Sequence, residues 1–464
     1  MPPPRLSAVD ASFLYLERPR TPMHVGAVGI FRVPAAGFDY ERLVETVERR
    51  LVQVPRYRQR VRHVPGNLAR PVWVDDGDFD VAFHVRRSAL PRPGTEAQLT
   101  ELVARLLARP LDPDRPLWEV YLVEGLSDDR FAVITKTHQA MVDGVTTVDI
   151  GQVLLDPTPE PVEAAEQLWM PRPEPTDAAL VADAVAEAVA RPGEVVDTLR
   201  FAANDAATEV TRVVRGVGAL IGTVARGGRL APGSPLNVEV SARRRFVVAR
   251  GSLERYRAVR TAHGCTVNDV VLAVVTGALR AWLLSRGEPV TSGSRVRALV
   301  PLWTRAGSVP SQGGGRVHSS LVDLPVGEPS PVLRLQHVAY AMREHTAAGR
   351  TVRAGALARI GGHAPPTLHA LGARAVHGIS KRIFNLVVTN VPGPQVPLYA
   401  AGARMLETFP VVPLAMGQGL AIGITSYDGG LYYGFNADRD AMPDLDVLAS
   451  TVDESLDELL ATVG

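Results

Sequence analysis

The chain has 464 residues, 46% apolar and 21% charged, which excludes a disordered protein and provides for two or three domains with cores of their own. Its 50 Lys and Arg stand against 49 Asp and Glu, a formal charge of +1, so no general nucleic-acid-binding surface is expected, local patches aside. Lys136 and Lys381 are the only lysines; the bias to Arg, Ala, Val, Gly and Pro points to a GC-rich bacterial genome rather than to a binding function.

In chain order, Leu6 to Glu17 opens the sequence, and Thr21 to Phe31 reads as a strand with His24 at its start. Phe38 to Val54 has apolar residues at helical spacing, at Leu43, Val44, Val47 and Leu51. Pro71 to Val74 and Phe79 to Val85 alternate as strands do, which predicts a solvated His84. Leu99 to Leu107 reads as a helix ended by Pro110. Pro116, which lacks an N–H for a ladder, marks the entry to the strand Trp118 to Val123.

The apolar run Phe131 to Ile134 leads into Lys136-Thr137-His138-Gln139-Ala140-Met141-Val142-Asp143-Gly144, and Val145 starts an amphipathic helix to about 155. A buried strand that ends in polar residues and turns through Gly into a helix aims side chains into a cleft. Beyond it lies a Pro- and Glu-rich linker, 156–175, then Ala/Val-rich helix to about Arg226. Val210 to Val238 carries Arg212, Arg215, Arg226 and Arg229 but no acid, which fits an interfacial amphipathic stretch or a connector packed across two domains.

The second half repeats the mixed pattern. Arg243-Arg244-Arg245 enters a strand and either meets phosphates or forms a solvated edge. Leu253 to His263 is helical, and a longer helix follows with Thr266 as N-cap and Asn268 and Asp269 in its first turn, placed there for capping or for lining a site. Val296 to Leu302 and His318 to Leu324 are strands around the Gly313–Gly315 loop. Pro331 to Ala347 and Leu368 to Arg382 are helices, Phe384 to Asn390 is a strand running into Val391-Pro392-Gly393-Pro394, and Ala421 to Phe435 is a hairpin through Asp428-Gly429. A helix from Pro443 to Thr462 closes the chain.

The single cysteine, Cys265, excludes an intrachain disulfide, fits a reducing compartment and reads as a structural thiol ahead of a nucleophile. Met1 to Arg5 lacks the pattern of a secretory signal, and no window reaches about 18 uninterrupted apolar residues. A cytoplasmic protein is expected, with any contact to the inner membrane or to lipid droplets peripheral.

The His138 to Gly144 stretch resembles the His-His-x-x-x-Asp-Gly motif of coenzyme-A-dependent acyltransferases, with Gln139 in place of the second His. Together with Leu6 to Glu17, Met23 to Gly26, Pro116-Leu117-Trp118, Thr266 to Leu272 and Asn390 to Pro394, it makes nearly the whole chain resemble the bacterial wax ester synthase/diacylglycerol acyltransferase family. The resemblance implies an α/β fold of two chloramphenicol-acetyltransferase-like mixed-sheet domains with a tunnel between them. The expected division is a domain over 1–157, a linker with connecting helices over 158–240, and a second domain over 241–464.

It also implies transfer of a fatty acyl group from acyl-CoA to diacylglycerol or a long-chain alcohol, with acyl-CoA as substrate and no cofactor or metal. His138, Gln139, Asp143 and Gly144 are the expected catalytic positions, Asp143 holding the motif loop and Gly144 turning it. His24, Asn268, Asp269 and Asn390 are the expected substrate-binding positions. In relatives the second His is the general base; a glutamine amide has no site that titrates near neutral pH, and base assistance is worth about 10²- to 10⁴-fold. On a strand, His138 should point away from the face used by position 139. Gly314-Gly315 stands where relatives often have Gly-Asn. Three readings follow: a slow or specialised O-acyltransferase, a non-catalytic lipid or acyl-CoA binder, and an acyltransferase with an amine acceptor.

Overall fold

The computed structural model describes residues 2–142, 150–160, 169–190, 231–303, 317–347, 352–353 and 383–463. Asp143, Gly144, the start of the helix at Val145, the stretch from 191 to 230, the 313–315 loop and the 368–382 helix lie outside the described residues.

The first half runs α1 (Ala8–Leu16), β1 (His24–Arg32), α2 (Tyr40–Arg50), β2 (Gln59–Arg62), β3 (Val72–Asp75), α3 (Val81–His84), β4 (Val85–Ala89), α4 (Glu96–Ala108), β5 (Trp118–Leu126), β6 (Arg130–His138), α5 (Ile150–Val153) and α6 (Asp177–Ala190). The second runs β7 (Arg244–Ser252), α7 (Leu253–His263), α8 (Val267–Ser285), β8 (Val296–Trp303), β9 (Val317–Leu324), α9 (Pro331–Ala347), β10 (Val352–Arg353), β11 (Leu386–Pro392), β12 (Tyr399–Ala400), β13 (Ala403–Val411), β14 (Leu420–Tyr427), β15 (Gly430–Asp438) and α10 (Leu445–Leu460).

Local chemistry accounts for many of these boundaries. α4 and α8 each open on a reciprocal capping box, Thr95 with Gln98 and Thr266 with Asp269, which satisfies two N–H groups that a helix start leaves free. α8 is buried almost all round from Asp269 to Leu279, as the central helix of a core must be. It is also the one described helix long and apolar enough to cross a membrane, and it sits in the core instead. The β14–β15 hairpin turns on Asp428 (φ 42°) and Gly429 (φ 82°), both in the left-handed region that a two-residue hairpin loop requires.

Two mixed sheets result. The first has the order β12-β13-β1-β6-β5-β4 and the second β10-β9-β8-β11-β14-β15-β7. Residues 399–411 therefore correct the expected division of the chain. They read as no element in sequence and were assigned with 241–464, yet they supply two strands of the first sheet. β13 pairs antiparallel with β1, from Gly26 opposite Val411 to Phe31 opposite Met405. It covers an edge of β1 that would otherwise stay unpaired, and it buries Met405, Phe409 and Val411. Arg250 of β7 strengthens the join by pairing with Glu96 at the start of α4 and Glu407 of β13.

His84 is a second correction. It is fully buried, not solvated. Asp80 accepts the N–H of Ala82 and starts one helical turn where alternation predicted strand. That turn swings His84 inward to stack on Trp118 at 4.5 Å, with Nδ1 2.8 Å from the Trp118 carbonyl.

Candidate active site

β1 and β6 run antiparallel in a register that places His24 directly opposite His138, so both imidazoles leave the same face of the sheet. One step inward, Gly26 lies opposite Lys136, and a β-carbon at 26 would run into the Thr135 carbonyl. The strand ends are tied by Gln139 N–H to Met23 O at 2.8 Å and His138 N–H to Leu117 O at 2.9 Å.

Glu17, the residue that ends α1, lies between the two histidines. Its Oε1 accepts the Met23 N–H at 3.1 Å and is 3.4 Å from His24 Nε2, while Oε2 is 3.5 Å from His138 Nε2. These are ion-pair distances rather than short hydrogen bonds. The rings stand edge to face, 6.1 Å apart. The imidazoles are 2% and 1% exposed and the Glu17 side chain 28%, so the cluster opens to solvent on the Glu17 side. Burial works against the charge on Glu17, but His138 and His24 more than offset it and hold the carboxyl well below its usual range. Burial holds His24 down to about 4 against the pull of Glu17, and the Lys136 charge adds to the burial.

The His138 ring is fixed by the chain beyond it. Its Nδ1 accepts the Ala140 N–H at 3.0 Å, so a neutral ring carries its proton on Nε2, toward Glu17. Gln139 is half-buried, and its amide makes no hydrogen bond among the described residues. Lys136 is buried under the cluster: Nζ donates to the Arg109 carbonyl at the end of α4 at 2.7 Å and lies 3.2 Å from Glu119 Oε2. Burial lowers the Lys136 pKa and Glu119 raises it, the net direction being down.

In the second half, Asn390 at the end of β11 donates to Asn268 Oδ1 at 3.0 Å, which unites two of the expected binding positions. No hydrogen bond or ion pair among the described residues joins this pair to the histidines. Asp269 accepts the Thr266 N–H at 2.9 Å, so its carboxylate is occupied by the helix cap. All three members of the arginine run are held: Arg243 by Asp440 at 2.6 Å, Arg244 on the Ser241 carbonyl at 2.6 Å, and Arg245 by Asp446. Burial and Asp269 raise the Cys265 thiol, which disfavours the thiolate a nucleophile needs. Among the described residues no cluster of His, Cys, Asp or Glu suits a metal.

Sequence reasoning named His24 and His138 but not Glu17, although it quoted Glu17 as the end of the opening segment. No spacing rule links position 17 to 138; only the fold of α1 over the ends of β1 and β6 does.

The wax ester synthase/diacylglycerol acyltransferase catalytic domain matches residues 6–271, and the C-terminal domain of the same family matches 313–460. A probable diacylglycerol O-acyltransferase of Mycobacterium tuberculosis, tgs1, is 34% identical over 98% of this chain and 96% of its own length. A second from that organism, tgs3, is 52% identical over 56% of this chain and 97% of its own length. The solved wax ester synthase/diacylglycerol acyltransferase of Marinobacter aquaeolei VT8 superposes with a TM-score of 0.70 at 28% identity, covering 99% of this chain and all of that one. The first condensation domain of the CDA synthetase shares the fold alone, with a TM-score of 0.57 at 18% identity over 100% and 97%. With both family domains matched in order and relatives aligned end to end, the chain belongs to the wax ester synthase/diacylglycerol acyltransferase family.

Proposed function

We propose that this protein is an acyl-CoA-dependent O-acyltransferase that moves a fatty acyl group onto diacylglycerol or a long-chain alcohol. The observation that carries this reading is the end-to-end similarity to relatives named for that activity. The reaction needs an acceptor for the hydroxyl proton as oxygen attacks the thioester, donors for the oxyanion, and an apolar channel for two greasy substrates. The buried His24–Glu17–His138 cluster places titratable groups at the strand ends where the family motif stands. Contact of the protein with a membrane or lipid-droplet surface, when it delivers or collects these substrates, is peripheral, and the protein carries no cofactor.

Purified protein incubated with long-chain acyl-CoA and either diacylglycerol or a fatty alcohol should release coenzyme A and form the ester. No ester and no thiol above a blank, over several acceptors, sinks the reading. Gln139 favours a second one, a lipid or acyl-CoA binder without turnover. Saturable acyl-CoA binding by a protein that turns over none of these acceptors would favour that one.

A further inference from the structure

A hydroxyl acceptor loses its proton somewhere, and the amide of Gln139 cannot take it. The titratable groups of the cluster can be sorted by which lone pairs are engaged. His138 has none to offer: Nδ1 is bound by the Ala140 N–H, and Nε2 carries the proton that faces Glu17. Lys136 is engaged with Glu119 and the Arg109 carbonyl. Glu17 is a carboxylate that already meets Met23 N–H and two imidazole edges.

His24 remains. Its Nε2 faces Glu17 Oε1 at 3.4 Å, which favours the tautomer with the proton on that nitrogen, and its Nδ1 forms no hydrogen bond. Its Nδ1 is thus left as a free lone pair on a side chain 2% exposed. A buried imidazole with one edge toward a carboxylate and the other edge free has the arrangement of a general base held by an acid.

We infer that His24 is the general base of this acyltransferase, oriented by Glu17, in the role that position 139 cannot fill. The inference rests on the acyltransferase reading. The acceptor approaches the Nδ1 edge of His24, the edge turned away from Glu17. Its oxygen bonds to the thioester carbonyl carbon while its proton passes to His24 Nδ1, and Glu17 balances the imidazolium. When the tetrahedral intermediate collapses, the C–S bond breaks and the imidazolium returns the proton to sulfur, releasing coenzyme A as the thiol. Glu17 is a positioning residue; His24 is the group that meets the substrate.

The experiment compares wild type, Gln139→His, His24→Ala, His24→Ala with Gln139→His, and Glu17→Gln. Coenzyme A release and ester formation are measured for each, with circular dichroism as a check of folding. His24→Ala is expected to lose about 10²- to 10⁴-fold in kcat, and adding Gln139→His to it should recover at least about tenfold, which loss of a structural contact would not allow. Glu17→Gln, which keeps shape and removes charge, should lower kcat about 10- to 100-fold with KM unchanged.

Overturning results are a His24→Ala enzyme as fast as wild type, a Glu17→Gln enzyme as fast as wild type, or a His24→Ala loss that Gln139→His does not relieve although Gln139→His alone is active. An inactive wild type beside an active Gln139→His variant overturns the role of His24 and keeps the reaction. Inactivity of both overturns the acyltransferase reading itself.

Discussion

The ends of β6 and β15 make an instructive pair. Each is the C-terminal end of a buried antiparallel strand that turns toward a helix, and each buries an ionisable side chain, His138 in one half and Asp438 in the other. Asp438 is fully used: it accepts the N–H groups of Ser241 at 2.5 Å and of Asp440 and Ala441 at 3.0 Å. The β6 end is not. Around it Nε2 of His24 and Nε2 of His138 face Glu17 at ion-pair distance without a formed hydrogen bond, and Nδ1 of His24 has no partner. A satisfied buried polar group stabilises a loop; a set left short of partners costs stability and stays available for chemistry. The two halves share a plan and divide the work.

The sharpest way to test that division is to remove each group and watch stability apart from turnover. Asp438→Ala removes the acceptor of three part-buried N–H groups, those of Ser241, Asp440 and Ala441, and should cost on the order of 3 kcal/mol in urea unfolding. His24→Leu removes nitrogens that form no hydrogen bond. It should change stability by less than about 1 kcal/mol while kcat falls as for His24→Ala. A His24→Leu protein as unstable as Asp438→Ala would erase the contrast.

Acid should separate the two ends as well. His24 titrates at about 4 in the folded chain, below the ordinary value of about 6.5, so the unfolded chain takes up the proton more readily. Its contribution is therefore whole above pH 6.5 and is lost as the pH falls from there to about 4, by about 3 kcal/mol. Glu17, His138 and Lys136 are the charged or titratable groups that act on it. Buried His84 is held down to about 4 too and shares the window. The Glu17 carboxyl is depressed, so its contribution persists through that range and fades only at lower pH. Urea unfolding at pH 7 and pH 5 should show a smaller loss for His24→Leu than for wild type, and an equal loss would remove the burial argument.

The smallest effect concerns the second half. Asp269→Ala opens the capping box at Thr266 and should cost about 1 kcal/mol, read as a lower urea midpoint at unchanged slope. A stability unchanged by Asp269→Ala would free that carboxylate for the binding role expected of it from sequence.

Much of the fold was legible in sequence wherever the signal is local. Apolar periodicity found α2, local sequence also placed α4, α8 and α10, and Asp428-Gly429 found the hairpin. Thr266 marked the start of α8. His84 shows where such reading stops, since alternation over Phe79 to Val85 looks the same whether the chain extends or makes one turn under Trp118. The motif around His138 was visible as residues, and the tautomer of its neutral ring was not, because that depends on the Ala140 N–H bound to Nδ1.

By itself, then, the sequence determined the local elements, the family and the position where a glutamine replaces a base. Only the tertiary structure decided that 403–411 completes the sheet carrying His24, and that Glu17 comes to rest between two histidines. The reason is physical. Periodicity and turn chemistry act over a few neighbouring residues, whereas strand partners and the lone pairs of an imidazole are set by atoms far along the chain.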